Sequence, residues 1–360
     1  MEERMYQDVL EFYLKEDNKK INYDWNLDEY LNTFTNKVLT KCAIVYFLDK
    51  EDYSKILEIE NMANKEKSYI IDCVKENLSN IISSYVKILP NYLIKQLRKL
   101  IKNNGCISCG LQSMKFSIQF LDFLKKNVFA RVYLDKKNEM INVYMPEEIV
   151  KIVDEILNNK EIMKANKKCN RIYDFVDACV DTYGILTVEE LNTLCKKFNF
   201  KIDAEELINI VSSHMLVDDS YIVHSYNQTK LICNIEFYTE DEAFDFYEKL
   251  SGNLNLKFSL KDMEDIKNCK YIYKLRSYKK LINWLNEIFG WIKEDSEYLD
   301  CFIINDYISS AQINIEIAEK NFRNNIDGVL ELDPIEKNIM ANMLKDLYDE
   351  YPKWSKRGNV

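Results

Sequence analysis

Gly184-Ile185-Leu186-Thr187-Val188-Glu189-Glu190 is the stretch on which the reading of the fold turns. The glycine closes a helical run from about Arg171 to Tyr183, as a residue at the end of a helix should. Thr187 and Glu190 have the spacing of a capping box, so a new helix opens there. Only Ile185 and Leu186 are left between the two, enough for one short strand. Asp203 and Glu206 repeat the capping spacing and open a second short helix. Beyond it, Met215–His224 and Lys230–Phe237 are β-rich runs that read as a hairpin. The order is helix, short strand, helix, helix, strand, wing, strand. That is the order of a winged helix.

The same grammar recurs upstream. Pro90 opens a helix that runs to about Asn104 and stops before Gly105. Gly105-Cys106-Ile107-Ser108 then stands where Gly184-Ile185-Leu186-Thr187 stands in the later copy. A second helix is expected over about Leu111–Lys126. Val128–Leu134 and Glu139–Met145 follow as strands, joined by the polar turn Asp135-Lys136-Lys137-Asn138. The pair reads as an internal repeat with one helix missing or merged in the first copy.

The flanks are helical. Apolar residues recur at helical spacing through 1–85, for example Ile70, Ile71, Val74, Leu78, Ile81 and Ile82, giving three or four helices. Pro146 opens a helix, and Thr239 with Glu242 caps another that ends before Gly252. Segment 252–360 looks all-helical, with starts at Ser259 and at Asp333-Pro334-Ile335-Glu336. The expected fold class is mainly α with small β-hairpins, two winged-helix-like units lying between helical ends. The expected domains are a helical region 1–85, a basic unit 86–145, a second unit 146–250 and a helical domain 251–360.

Composition bounds the class. The 360 residues are 47% apolar, so disorder is not the default, and 7 Gly and 4 Pro argue against an all-β or loop-rich protein and for a mostly helical one. No apolar run reaches the roughly 18–20 residues of a membrane span. Met1-Glu2-Glu3 starts no basic-then-apolar leader, so the expected location is cytoplasmic, with no membrane partner. Ten Cys are scattered singly, including Cys73, Cys179, Cys195 and Cys301, as buried reduced thiols would be.

The chain ends Tyr351-Pro352-Lys353-Trp354-Ser355-Lys356-Arg357-Gly358-Asn359-Val360. Over about 296–360 it resembles a region of bacterial proteins that carry SEC-C metal-binding motifs. There, too, a helical pair closes with a Pro-x-Trp element, a basic residue and Gly, matched here by Pro352, Trp354, Arg357 and Gly358. In those proteins a Cys-rich zinc-binding tail often follows. No such residues follow Gly358, so the resemblance implies a helical fold and carries over neither metal nor activity.

Charge supplies the candidate surface. Segment 86–145 holds eleven Lys and Arg against three Asp and Glu, a local +8 in a chain of net −10. Lys95, Arg98, Lys99 and Lys102 form a stripe opposite the apolar Ile94, Leu97, Leu100 and Ile101. The plain account of such a stripe is a solvated face; the functional one is contact with phosphates or an acidic partner. A second cluster interleaves Lys270, Lys274, Arg276, Lys279 and Lys280 with Tyr271, Tyr273 and Tyr278, as a base-stacking surface would.

Catalytic signals are poor. Cys106-x-x-Cys109 has no second ligand pair to complete a zinc site, so no metal or cofactor is expected. His214 and His224, the two histidines, come with no nucleophile motif. The acids Glu189-Glu190, Glu205-Glu206 and Glu240-Asp241-Glu242 sit where helix N-termini want them. The second unit's recognition position, Asp203 to Asn209, has three acids and no Lys or Arg, which phosphates would repel. The expectation is a non-enzymatic protein-binding adaptor, regulator or inhibitor. The alternatives are a nucleic-acid-binding regulator working through 86–145 and an enzyme of unrecognised class.

Overall fold

A computed structural model describes residues 25–49, 53–63, 66–110, 117–135, 137–215, 220–226, 229–290, 303–326 and 330–360. It is mainly helical with two small antiparallel sheets. Two compact units meet between Arg171 and Ile172. The expected boundaries near 86 and 146 fall inside the first unit, and the one near 251 inside the second.

The first unit opens with α1 (Leu27–Asn32), α2 (Asn36–Asp49), α3 (Tyr53–Ala63), α4 (Lys67–Glu76) and α5 (Leu78–Ile88), more helices than the three or four expected. A reciprocal Asn26–Glu29 capping box starts α1. Next come α6 (Asn91–Lys102), β1 (Cys106–Gly110), α7 (Ile118–Lys126), β2 (Arg131–Asp135), β3 (Met140–Tyr144) and α8 (Glu147–Asn158). The helix expected from Leu111 thus starts at Ile118, behind the Ser117 cap; residues 111–116 lie outside the described residues. Pro90 and Pro146 are N-caps rather than first helical residues, and their carbonyls accept the first helical N–H bonds. Buried rings of Tyr30, Phe34, Tyr85, Phe123 and Phe129 join the early helices to the sheet. Arg131 is buried with its guanidinium 4.9 Å from the centre of the Phe34 ring.

Helix α9 (Lys160–Tyr183) runs across the boundary. It starts eleven residues before the expected Arg171. Lys160–Arg171 is built from good helix formers, and Asn166 and Asn170, one turn apart, point their amides inward to bond backbone (below), so no break is needed.

The second unit continues with β4 (Ile185–Thr187), α10 (Val188–Lys197), α11 (Ala204–His214), β5 (Tyr221–Tyr226), β6 (Thr229–Asn234) and α12 (Glu240–Glu248). Both strands of each expected hairpin pair antiparallel, but the strand expected from Met215 starts at Tyr221, because Met215 still caps α11; residues 216–219 lie outside the described residues. The Thr187–Glu190, Thr239–Glu242, Ser259–Asp262 and Asp333–Glu336 capping boxes are all formed. The rest is α13 (Leu260–Lys267), a 3-10 turn (Tyr271–Lys274), α14 (Arg276–Phe289), α15 (Asn305–Ile313), α16 (Ile315–Asn325), α17 (Pro334–Glu350) and a last 3-10 turn (Trp354–Lys356). These helices share one core with α9, α10 and α11, centred on residues such as Val176, Cys179, Leu194, Val211, Leu281 and Leu344.

The two sheets have one topology, β1-β3-β2 and β4-β6-β5, with the first strand pairing with the third. Gly105 and Gly184 precede their first strands, and both adopt φ +75°. Each glycine carbonyl accepts a 2.8 Å bond from the close of the last strand opposite it, from Met145 N and Asn234 N respectively. Both sites are crowded. A Cβ on Gly105 would lie 2.5 Å from Met145 O and 2.7 Å from Val150 Cγ2, and one on Gly184 2.7 Å from the Trp354 indole.

Candidate binding surface

Helix α6 buries Leu93, Ile94, Leu97 and Leu100 and exposes Lys95, Arg98, Lys99 and Lys102, as its periodicity requires. Three connections hold it. Gln96 exchanges two 2.8 Å bonds with Ser117 at the start of α7. Asn166 Nδ2 donates to the carbonyls of Val86 (2.7 Å) and Leu89 (2.8 Å). Asn170 Nδ2 donates to Leu89 O at 2.9 Å, while its Oδ1 accepts from Asn91 N at 2.8 Å. The two asparagines therefore satisfy the backbone groups of the α5–α6 connection.

The four cations of the stripe are not equivalent. Arg98 Nη2 donates to Leu157 O at 2.8 Å, a cation on the last carbonyls of α8. Arg98 is thus a tie between helices as well as a surface charge. Lys95, Lys99 and Lys102 have no carboxylate within ion-pair distance among the described residues.

The basic-aromatic cluster of the second unit is dispersed by its packing. Tyr278 is buried, with Tyr273 edge-on at 5.2 Å, and Tyr271 meets Tyr351 edge-on at 5.8 Å. Lys274 is held by Asp262 (2.6 Å) and Asp265 (2.9 Å). The Arg276 and Ser277 amides donate to Glu350 Oε2, which caps α14 from α17. Lys270, Arg276, Lys279 and Lys280 remain exposed with Tyr273 as the one exposed ring of the set, so stacking rings do not alternate with cations here as the sequence suggested.

The histidines serve packing. His214 is buried and stacked on Tyr173 at 3.9 Å, and His224 Nε2 lies 3.0 Å from Phe237 O. Cys106 is exposed and Cys109 buried, on opposite faces of β1, so the two sulfurs do not converge on one ion. Among the described residues no group of three or more His, Cys, Asp or Glu could hold a metal ion, and no helix is long and apolar enough to cross a membrane.

One constellation escaped the sequence reading. Asp174, Asp177 and Asp181 share a face of α9. Lys267 Nζ lies 3.0 Å from Asp177 and 3.4 Å from Asp174. Ser220 Oγ donates to Asp177 at 2.9 Å, and Asn234 Nδ2 to Asp181 at 2.8 Å. Burial first, and the Asp177 carboxylate second, push the Asp181 carboxyl up to about 7, against Lys267 and Asn234. The i, i+3, i+7 spacing of the aspartates was visible, but their partners lie 40 to 90 residues away. The cluster ties α9, β6 and α13 together. No protein-family model matches the chain, and neither a curated protein nor a solved structure matches it.

Proposed function

We propose that the chain is a non-enzymatic binding protein, an adaptor or regulator whose two sheet-bearing segments are winged-helix-like units that contact another protein. One observation carries the reading: the helix at the second copy's recognition position holds no cation, and that of the first turns its apolar face inward with its lysines only at the last turn. In the first copy α7 turns Phe120, Leu121, Phe123 and Leu124 into the core, and Lys126 pairs with Asp122 at 2.6 Å. In the second, α11 starts Asp203, Ala204, Glu205, Glu206 and holds no Lys or Arg. Duplex binding needs cations on that element. The likeness to the helical region of SEC-C-bearing proteins belongs to this proposal, and Pro352, Trp354, Arg357 and Gly358 enter it as packing residues.

Nucleic-acid binding is the second reading, and the exposed stripe of α6 favours it. Binding of labelled duplex and single-stranded DNA to the purified chain separates the two. The proposal expects affinities no better than nonspecific, Kd of about 10⁻⁴–10⁻⁶ M at physiological salt. It also expects cross-linked protein partners that survive nuclease. Nanomolar DNA binding overturns it.

A further inference from the structure

The cationic surface of the first unit is wider than α6. On α9, Lys160, Lys164, Lys167, Lys168 and Arg171 follow i, i+4, i+7, i+8 and i+11, and all five are exposed. At 100° per residue they fall on one face about 100° wide. The row is about 16 Å long at 1.5 Å per residue. Its inner side is where Asn166 and Asn170 grip the α5–α6 connection. The start of α9 follows directly on Leu157, whose carbonyl holds Arg98. The same contacts hold α6, α8 and the start of α9 together within one unit.

Several lysines elsewhere are paired with a carboxylate: Lys75 with Asp28, Lys126 with Asp122, Lys151 with Glu147, Lys261 with Asp265, Lys267 with Asp177. Lys95, Lys99, Lys102, Lys160, Lys164 and Lys167 have no such neighbour among the described residues. Like charges held this close repel one another at each i, i+4 step. An anionic partner removes that repulsion.

We infer that the α6 stripe and the α9 row form one docking face for an acidic segment of a partner protein. Charge complementarity commits the occupant to an anion, and three observations favour polypeptide over nucleic acid. The face sits on two convex helices rather than on a recognition helix or a wing. Tyr92, 36% exposed, is the one large ring at its edge, too little for base stacking. Its 16 Å matches about three helical turns of a Glu-rich helix, whose own i, i+4 rows repeat at about 6 Å like the lysines.

The inference deepens the protein-binding reading and rests on it. The test uses the full chain and two probes of equal charge, a labelled poly-L-glutamate and a labelled DNA duplex. Lys160, Lys164 and Lys167 are changed together to Gln, as are Lys95, Lys99 and Lys102 in a second variant. Lys270, Lys279 and Lys280 changed to Gln are the control. Poly-glutamate binding should weaken with salt and fall about tenfold in each test variant, with the six-residue combination lowest and the control unchanged. Sedimentation of the unlabelled chain excludes a second copy as occupant if it shows one species at all salts. An α9 variant that binds like the parent overturns the shared face. Stronger duplex binding lost in the same variants overturns both this inference and the protein-binding reading. No poly-glutamate binding, with nuclease-resistant cross-links outside 91–102 and 160–171, overturns this inference alone.

Discussion

The first and second sheets of this protein are built alike and finished differently. Each begins at a glycine with φ +75°, and each has the same strand order. In the first, the crowded spot over Gly105 is filled by the next helix, through Val150 of α8. In the second, the spot over Gly184 is filled by Trp354, from the far end of the chain. That indole packs with Ile185, Leu231, Cys233, Phe237 and Ala243. Its Nε1 donates to Asp181 O at 2.9 Å, and its backbone N to Gln312 at 2.9 Å. Arg357 then pairs with Glu190 of the Thr187 capping box. A local helix closes the first copy and leaves its outer helices α6 and α9 lined with unneutralised lysine. A distant strap closes the second, where Lys261, Lys267 and Lys274 are held in ion pairs. The lesson is that one topology can carry a charged face in one copy and an internal tie in the other.

The largest effect should come from the strap. Trp354→Ala empties a buried site and should cost about 3–5 kcal/mol in urea unfolding. A change below about 1 kcal/mol would mean that the strap is only an overlay.

The glycines sharpen the comparison. Gly105→Ala and Gly184→Ala each force an L side chain to positive φ, at about 1–3 kcal/mol before any clash. The crowding atoms differ. At Gly184 the three nearest atoms belong to Trp354, so Gly184→Ala should cost less in a Trp354→Ala background. At Gly105 the closest atom is the Met145 backbone oxygen, so Val150→Ala should bring little relief. Equal coupling in the two double-mutant cycles would remove the distinction drawn here.

Asp181 gives a pH test confined to the second copy. Its carboxyl titrates at about 7 in the folded chain, above the ordinary 3.8. The folded chain therefore holds a proton that the unfolded chain releases. Stability falls as pH rises from about 4 to 7, and the full penalty is present above 7. Asp181→Asn keeps an oxygen for Asn234 and should stabilise by about 1–3 kcal/mol at pH 8, with little change at pH 4. A variant less stable than the parent at pH 8 would show that the charge helps rather than costs.

The smallest effect is expected from the lysines of the first unit. Changing Lys95, Lys99 and Lys102 to Gln should shift stability by no more than about 0.5 kcal/mol, since exposed side chains without partners hold nothing in place. Loss of folding would make the stripe structural.

Local signals were the legible part. The capping boxes, both glycines and both hairpins follow from residues at most a few positions apart, and the structure has them near where the sequence placed them, the strand expected from Met215 excepted, which starts at Tyr221. The α6 stripe was legible for the same reason. The α9 row was not, because the sequence pattern marks that helix only from about Arg171, which puts Lys160–Lys168 outside it. The Asp177–Lys267 pair was also hidden, since it joins residues 90 apart and neither stands in a motif. The tyrosines between Lys270 and Lys280 misled because aromatic–basic alternation looks the same whether the rings face solvent or, like Tyr278, the core. Of the Pro352, Trp354, Arg357 and Gly358 motif, Trp354 and Gly358 serve packing and Arg357 pairs with Glu190. Gly358 at φ +79° lets the chain pass over the Tyr183 ring, where a Cβ would come within 2.7 Å.

Lysine acylation footprinting in the presence of poly-L-glutamate tests the central contrast most directly, because it reads every lysine of both units in one sample. The account predicts protection of Lys95, Lys99, Lys102, Lys160, Lys164 and Lys167, with Lys270, Lys279 and Lys280 reacting as in the free chain. Uniform protection across both sets, or protection of the second set alone, would contradict it.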